Sequence, residues 1–361
     1  MALLAGEIFL RLFFPIYLPD LVSLSSHEGW YVRSANGEIA GLAPNFRGRF
    51  FSSEFDTRIE LNERGFRDKF FAAKRAARIC VLGDSFTFGY GVEADSAYPQ
   101  QLEKNLQARG YDVEVYNLGV PGTATALQYR IFQNLLDLKP DLVILGILAT
   151  YADRAGNDLI DNLEFAEKNA ATDLSQTNPS VRTSMVAPAL ANDNAPLSQK
   201  FFYQFHAGRR WLLKNSQLYR RGEMAIGQEH PRWLGNWQAQ ASRQRVEKGW
   251  VVTQEWLRRF QELARQQQFS FVLLHIPFPD FRSEENWQCY RLLESFSQEQ
   301  QIVFVDPLLP LLRNRRWQPR DLYFVLDGHW RPRAHRLCAE VLADFLVQKN
   351  LLPSSSHAPA I

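Results

Sequence analysis

Cysteine is scarce in this chain: Cys80, Cys289 and Cys338 are the three in 361 residues, and their spacing matches no metal-ligand pattern. That excludes a disulfide framework and a cysteine-built zinc site. Cys80 sits in an apolar stretch and Cys338 on an apolar helical face, so both read as small core residues. The seven histidines form no HExxH or comparable zinc pattern. An excess of one charge is also missing: 41 Lys and Arg against 39 Asp and Glu leave a formal +2, which argues against a nucleic-acid partner. The short clusters Arg258-Arg259 and Arg313-Asn314-Arg315-Arg316 read as solvated faces. No internal repeat is visible.

An uninterrupted apolar run of the about 20 residues that cross a bilayer is lacking too. Ala2 to Leu18 comes nearest, but Glu7, Arg11 and Pro15 break it. It lacks the basic start and small-residue cleavage site of a signal peptide. Two readings stay open: an amphipathic segment lying on the protein or on a membrane surface, or the remnant of a membrane anchor that starts upstream. The composition leans toward membrane association on the extracytoplasmic (periplasmic) side of a cell envelope; a cytoplasmic location is the alternative.

What the chain has is a series of short, densely apolar runs. Arg78 to Gly83 breaks at a glycine, as a buried parallel strand does where it enters a tight turn. Val113 to Leu118, Asp141 to Leu148, Phe269 to Ile276 and Ile302 to Val305 repeat that character. Between and after them, Tyr98 to Arg109, Thr125 to Leu138, Trp237 to Gln267, Asn286 to Gln298 and Pro332 to Lys349 carry helical spacing. Strands alternating with helices predict an α/β fold, a doubly wound parallel sheet. Residues 1–20 form the apolar segment and residues 21–70 a β-rich extension. Residues 71–350 form the α/β domain with a helical insertion at 165–268, and residues 351–361 a disordered tail. Within the insertion, Ala170 to Ser198 reads as a long loop and Lys200 to Arg221 as a helix.

The chemistry concentrates at two places. Gly83-Asp84-Ser85-Phe86-Thr87 puts a serine at the carboxyl end of the first buried strand, where open α/β sheets present reactive groups. Alone, Ser85 reads more readily as a serine that starts or caps a turn or helix than as a nucleophile. Near the C-terminus, Asp327-Gly328-His329-Trp330 places a carboxylate two residues before a histidine. With a turn at Gly328 the pair can fix the imidazole tautomer and free the other nitrogen to take a proton from a serine. His275 and His335 are rival bases; His335 falls inside a helix, and no carboxylate precedes His275. Two other patterns fail. Thr87 replaces the second glycine of a GxSxG elbow. The GxGxxA match at Gly89 to Ala94 lies beyond the strand end, where no helix N-terminus would meet a pyrophosphate.

The blocks VLGDSFTFGYGV, NLGVPG and DGHW, in that order, resemble the SGNH (GDSL-type) hydrolases, over roughly Arg78 to Leu346. The resemblance implies a flavodoxin-like sheet and a serine esterase or acyltransferase that needs no cofactor or metal. It implies Ser85 as nucleophile, His329 as base, Asp327 as its orienting partner, and the N–H groups of Ser85 and Gly122 as oxyanion donors. The family's remaining donor is an asparagine shortly after the third strand. Direct counting reaches Ala149-Thr150-Tyr151 instead, whereas Gly156-Asn157-Asp158-Leu159 resembles the block after a short insertion. Asn157 is therefore the expected donor and Thr150 the alternative. The expected substrate is an acyl ester, small or on a polysaccharide: O-acetylated carbohydrate or a lipid ester. A non-catalytic polysaccharide-binding module is the alternative from another class.

Overall fold

In the computed structural model all seven residues of Ala77–Gly83 are buried, as are all seven of Leu142–Leu148. A strand apolar on both sides has to be covered on both. The structure describes residues 6–9, 30–34, 37–51, 54–74, 77–149, 157–169, 232–278, 284–313, 317–324 and 327–352. The loop expected at 170–198, the helix at 200–221, the tail after residue 352 and Thr150 lie outside them, as does the apolar segment apart from residues 6–9. Those four residues are helical, with Ile8 and Phe9 exposed. Among the described residues no helix is long and apolar enough to cross a membrane.

Four short strands come first: β1 (Tyr31–Arg33), β2 (Ile39–Leu42), β3 (Arg47–Phe51) and β4 (Asp56–Glu60). They form two separate antiparallel ribbons, β1 with β2 and β3 with β4. A two-stranded ribbon is marginal alone, and these two are anchored by aromatics. Trp30 is fully buried and meets Phe50 and Phe88 edge-on at 4.8 and 5.5 Å. Arg67, also buried, donates to the carbonyls of Gly89 and Arg58 at 2.7 and 2.6 Å. Burial pulls its guanidinium down to about 10.

The main sheet contains β5 (Ala77–Gly83), β6 (Val113–Gly119), β7 (Leu142–Leu148), β8 (Ser270–Ile276) and β9 (Val303–Val305). All are parallel, in the order β6-β5-β7-β8-β9. This is the flavodoxin-like order, whose crevice opens at the carboxyl end of the first strand, where the winding reverses. The helices are α1 (Ser85–Phe88), α2 (Tyr98–Ala108), α3 (Thr125–Gln133), α4 (Asp158–Asn169) and α5 (Arg232–Gln267). After them come α6 (Glu284–Gln300), α7 (Leu309–Arg313), α8 (Pro319–Leu322) and α9 (Pro332–Gln348). The helix expected to run from Thr125 to Leu138 stops at Gln133; a 3-10 turn over Leu136–Leu138 closes at Lys139, ahead of Pro140.

Alternation along the strands divides the interior in two. Cys80, Leu82, Val143, Leu145 and Leu273 face one core, with Phe132 of α3, Ile160 of α4, Phe260 of α5 and Phe296 of α6. Ile79, Val81, Ile144, Val272 and Leu274 face the other, with Leu102 of α2 and Leu342 of α9. All three cysteines are buried and none is in a disulfide. Helices α4 and α5 pack backbone to backbone at Gly249. A Cβ on Gly249 would stand 1.9 Å from the carbonyl oxygen of Leu159. In most helices Gly→Ala gains about 1 kcal/mol of propensity, but here backbone occupies the space and glycine is the residue that fits. Beside it, Thr253 donates to the Gly249 carbonyl at 2.8 Å and receives the Asn162 amide at 2.9 Å.

Candidate active site

The end of β5 is built to present Ser85. A side chain at Gly83 would collide with the Thr87 hydroxyl, 2.0 Å from the position of its Cβ. Asp84 is buried, and its Oδ1 accepts the Phe86 N–H at 2.9 Å, capping α1. Ser85 opens that four-residue helix, which stops at Gly89 in the left-handed region (φ 79°). The serine therefore stands at the mouth of the crevice on a short, capped turn.

The Asp-Gly-His segment reaches the same point from the other end of the chain. Ser85 Oγ lies 2.7 Å from His329 Nε2, and His329 Nδ1 lies 2.6 Å from Asp327 Oδ1. Gly328 (φ 87°) makes the turn that lets the carboxylate fold back on its own histidine. With Nδ1–H donated to the carboxylate, Nε2 presents its lone pair to the serine hydroxyl. The imidazole is held between Phe86 and Tyr90, with ring centroids 4.8 and 4.6 Å away. Glu54, at the tip between β3 and β4, accepts the Asp327 N–H at 3.0 Å. Next to the pair, buried Trp330 bridges to Tyr323 and keeps the segment against the sheet.

Burial pushes the Asp84 carboxyl up to about 6, against the opposing pull of the Phe86 N–H and of His329. A carboxyl with its folded value above its unfolded one favours folding fully below pH 4, and that stability is lost as pH rises through about 6. The shift from 3.8 to about 6 corresponds to about 3 kcal/mol. Asp84→Asn keeps an oxygen for the Phe86 cap and has no charge to bury. Its urea midpoint is expected to gain on the wild type between pH 4 and pH 7. A difference that stays flat across that range would remove the argument.

The Gly122 turn is tied directly to this one. Val120 donates its N–H to the Gly83 carbonyl at 2.9 Å, and Asn117 Nδ2 donates to the Thr87 carbonyl at 2.9 Å. A Cβ on Gly119 would lie 2.3 Å from the Phe88 nitrogen, so the two turns meet backbone to backbone. Gly122 itself has φ 71°, and the Tyr31 hydroxyl donates to the Pro121 carbonyl at 3.1 Å.

Asn157 is buried immediately ahead of α4, and its Oδ1 accepts the Leu159 N–H at 3.2 Å. The next residue moors it. Asp158 accepts the Leu148 N–H at the end of β7 at 2.8 Å, and the N–H and hydroxyl of Thr125 at 2.8 and 2.9 Å. Burial holds the Asp158 carboxyl well above the usual carboxylate range, and the charge of Asp84 adds to the effect. Asn157 thus stands at the β7 side of the crevice, while the relay of hydrogen bonds joins Ser85, His329 and Asp327.

Of the rival bases, His335 is buried in α9. Its Nδ1 accepts the Tyr98 N–H at 3.2 Å, and burial pulls it down to about 3. His275 has a carboxylate partner that the sequence reading did not find. Its Nδ1 lies 2.6 Å from Asp306 Oδ2, with both side chains almost fully buried. The partner comes from the neighbouring strand: Leu274 pairs with Val305, which sets the following residues side by side. Among the described residues no group of three or more His, Cys, Asp or Glu is arranged to hold a metal ion.

Residues 81–175 match the GDSL-like lipase/acylhydrolase family. A curated relative, an arylesterase of Vibrio mimicus, is 32% identical over 77 residues, covering 21% of this chain and 38% of its own length. The chain thus matches well under half of that relative. Among solved structures, a putative lipolytic protein of the G-D-S-L family from Desulfitobacterium hafniense DCB-2 is 14% identical with a TM-score of 0.36, covering 74% of this chain and 98% of that one. A catalytic mutant of Axe2, an acetylxylan esterase from Geobacillus stearothermophilus, is 12% identical with a TM-score of 0.40, covering 76% and 95%. The matched segment holds Ser85, the Gly122 turn and the Asn157-Asp158 pair, and over that segment the chain is similar to the GDSL-like lipase/acylhydrolase family.

Proposed function

We propose that the protein is a serine-dependent hydrolase of acyl esters. Ser85 Oγ attacks the ester carbonyl as His329 Nε2 takes its proton, and Asp327 keeps the imidazole oriented and stabilises the imidazolium that forms. The N–H groups of Ser85 and Gly122 and the side-chain amide of Asn157 receive the developing oxyanion. His329 then protonates the leaving alcohol, and a water molecule activated by the same base hydrolyses the acyl-enzyme. The observation that carries this reading is the continuous relay from Ser85 through His329 to Asp327, with contacts of 2.7 and 2.6 Å. O-acetylated carbohydrate and lipid esters are the substrate classes the reading favours.

Covalent trapping tests it. An aryl phosphonate should transfer its phosphonyl group to Ser85, expel the phenol and stop turnover of a short-chain aryl acetate. Mass spectrometry should find one adduct, on the peptide containing Ser85, and none in Ser85→Ala. An adduct elsewhere, or wild-type turnover that survives full labelling, would overturn the reading.

A further inference from the structure

The Pro121–Gly122 peptide carries two groups with separate tasks. Its carbonyl accepts the Tyr31 hydroxyl at 3.1 Å. Its N–H, that of Gly122, is the oxyanion donor in the reading above. No cis peptide occurs among the described residues, so the carbonyl and the N–H of this planar unit point in opposite directions. Whatever fixes one fixes the other.

Such a peptide needs fixing. A proline followed by a glycine at φ 71° is the pattern of a type II turn. The peptide between the two central residues of that turn distinguishes it from type I, and rotating this one unit exchanges the sides on which the carbonyl and N–H lie. Glycine offers little steric resistance to the rotation.

We infer that Tyr31 is a positioning residue for the oxyanion hole: its hydroxyl holds the Pro121–Gly122 peptide in the orientation that turns the Gly122 N–H toward the reacting carbonyl. The inference rests on the proposed role of Gly122 and makes the β1–β2 ribbon part of the reactive site. Tyr31 is well placed for the task. Its ring meets buried Trp30 at 5.0 Å, and the Arg33 guanidinium lies 5.7 Å from its centre. Its hydroxyl and Ile39 Cδ1 stand 3.7 and 3.5 Å from where a Cβ on Gly122 would be, against the turn itself. Burial raises the phenol to about 12, so the hydroxyl keeps its proton at working pH. A bond accepted by the carbonyl also polarises the peptide and strengthens its N–H as a donor.

Tyr31→Phe removes the hydroxyl and keeps the ring. A neutral hydrogen bond corresponds to about a three- to tenfold change, whereas outright loss of an oxyanion donor costs about 10²–10³-fold. The variant is therefore expected to lower kcat on a short-chain aryl acetate about three- to tenfold, with KM within about twofold of wild type. The amide signal of Gly122 in a ¹H–¹⁵N spectrum should move and broaden. Arg47→Ala, an exposed change on the other ribbon, should change neither. An unchanged kcat together with an unmoved Gly122 signal overturns the inference. If instead Ser85→Ala keeps wild-type turnover, the esterase reading fails, and the Gly122 signal still decides whether Tyr31 sets this peptide.

Discussion

Ser85→Ala is expected to lower kcat on a short-chain aryl acetate by on the order of 10⁶-fold, and His329→Ala by about as much. The two effects should not add, because a hydroxyl without its base and a base without its hydroxyl are equally idle. The double variant should therefore match either single one. Asp327→Asn should be milder, about 10⁴-fold. An amide in place of the carboxylate turns an N–H toward Nδ1 and favours the tautomer whose Nε2 already carries a proton. KM should move little in all of these, since the relay touches the reacting atoms rather than the rest of the substrate. Steady-state kinetics on purified variants decides the matter. A Ser85→Ala protein with the wild-type rate would place the chemistry elsewhere.

Asp158→Ala is expected to be the most destabilising single change near the site. Three buried donors, the Leu148 N–H and the N–H and hydroxyl of Thr125, end on this one carboxylate. Each donor left without a partner costs about 1–3 kcal/mol. Against that stands relief from burying a carboxyl that its surroundings hold well above the usual range. Breaking one side of a buried network outweighs such relief, and we expect a net loss of about 3–5 kcal/mol, a large share of the about 5–15 kcal/mol typical of a folded domain. Asp158→Asn should lose less, because its oxygen still serves Thr125 while its NH₂ faces the Leu148 N–H. Urea unfolding reads both variants as a lowered midpoint at constant m. An alanine variant as stable as the wild type would show that water takes over all three bonds.

Much of this was legible in the sequence for physical reasons. β5 and β7 are covered on both faces, and that condition writes itself into the chain as a dense apolar run. Asp327 and His329 pair across a single glycine, so the chain itself displays their partnership. Ser85 needed more: the expectation for it rests on three motifs, each common alone, occurring in one order. What stayed hidden depends on contacts between distant positions. Tyr31 meets Pro121 across 90 residues and Glu54 meets Asp327 across 273. Neither residue belongs to a pattern, because a ribbon's neighbours follow from how it lies on the domain. His275 and Asp306 became partners through strand register, which no local spacing encodes. The role of Asp158 has no local signature: it joins α4 to β7 and α3 through contacts with Leu148 and Thr125 that its sequence neighbours do not display.

The distances along the chain have a consequence for when the relay comes into being. Ser85 and His329 are separated by 244 residues. The turn that presents the serine is held by bonds of much shorter span, from the Phe86 N–H to Asp84 and from the Val120 N–H to the Gly83 carbonyl. The imidazole arrives only with the segment leading into α9, after every strand of the sheet has been synthesised. Closing so long a loop is entropically costly and slow. During synthesis the chain therefore carries its serine for most of its length without the histidine that the proposed mechanism gives it as base. A product that ends before residue 329 would contain all the strands of the main sheet and, on the proposed mechanism, have an idle hydroxyl at its mouth.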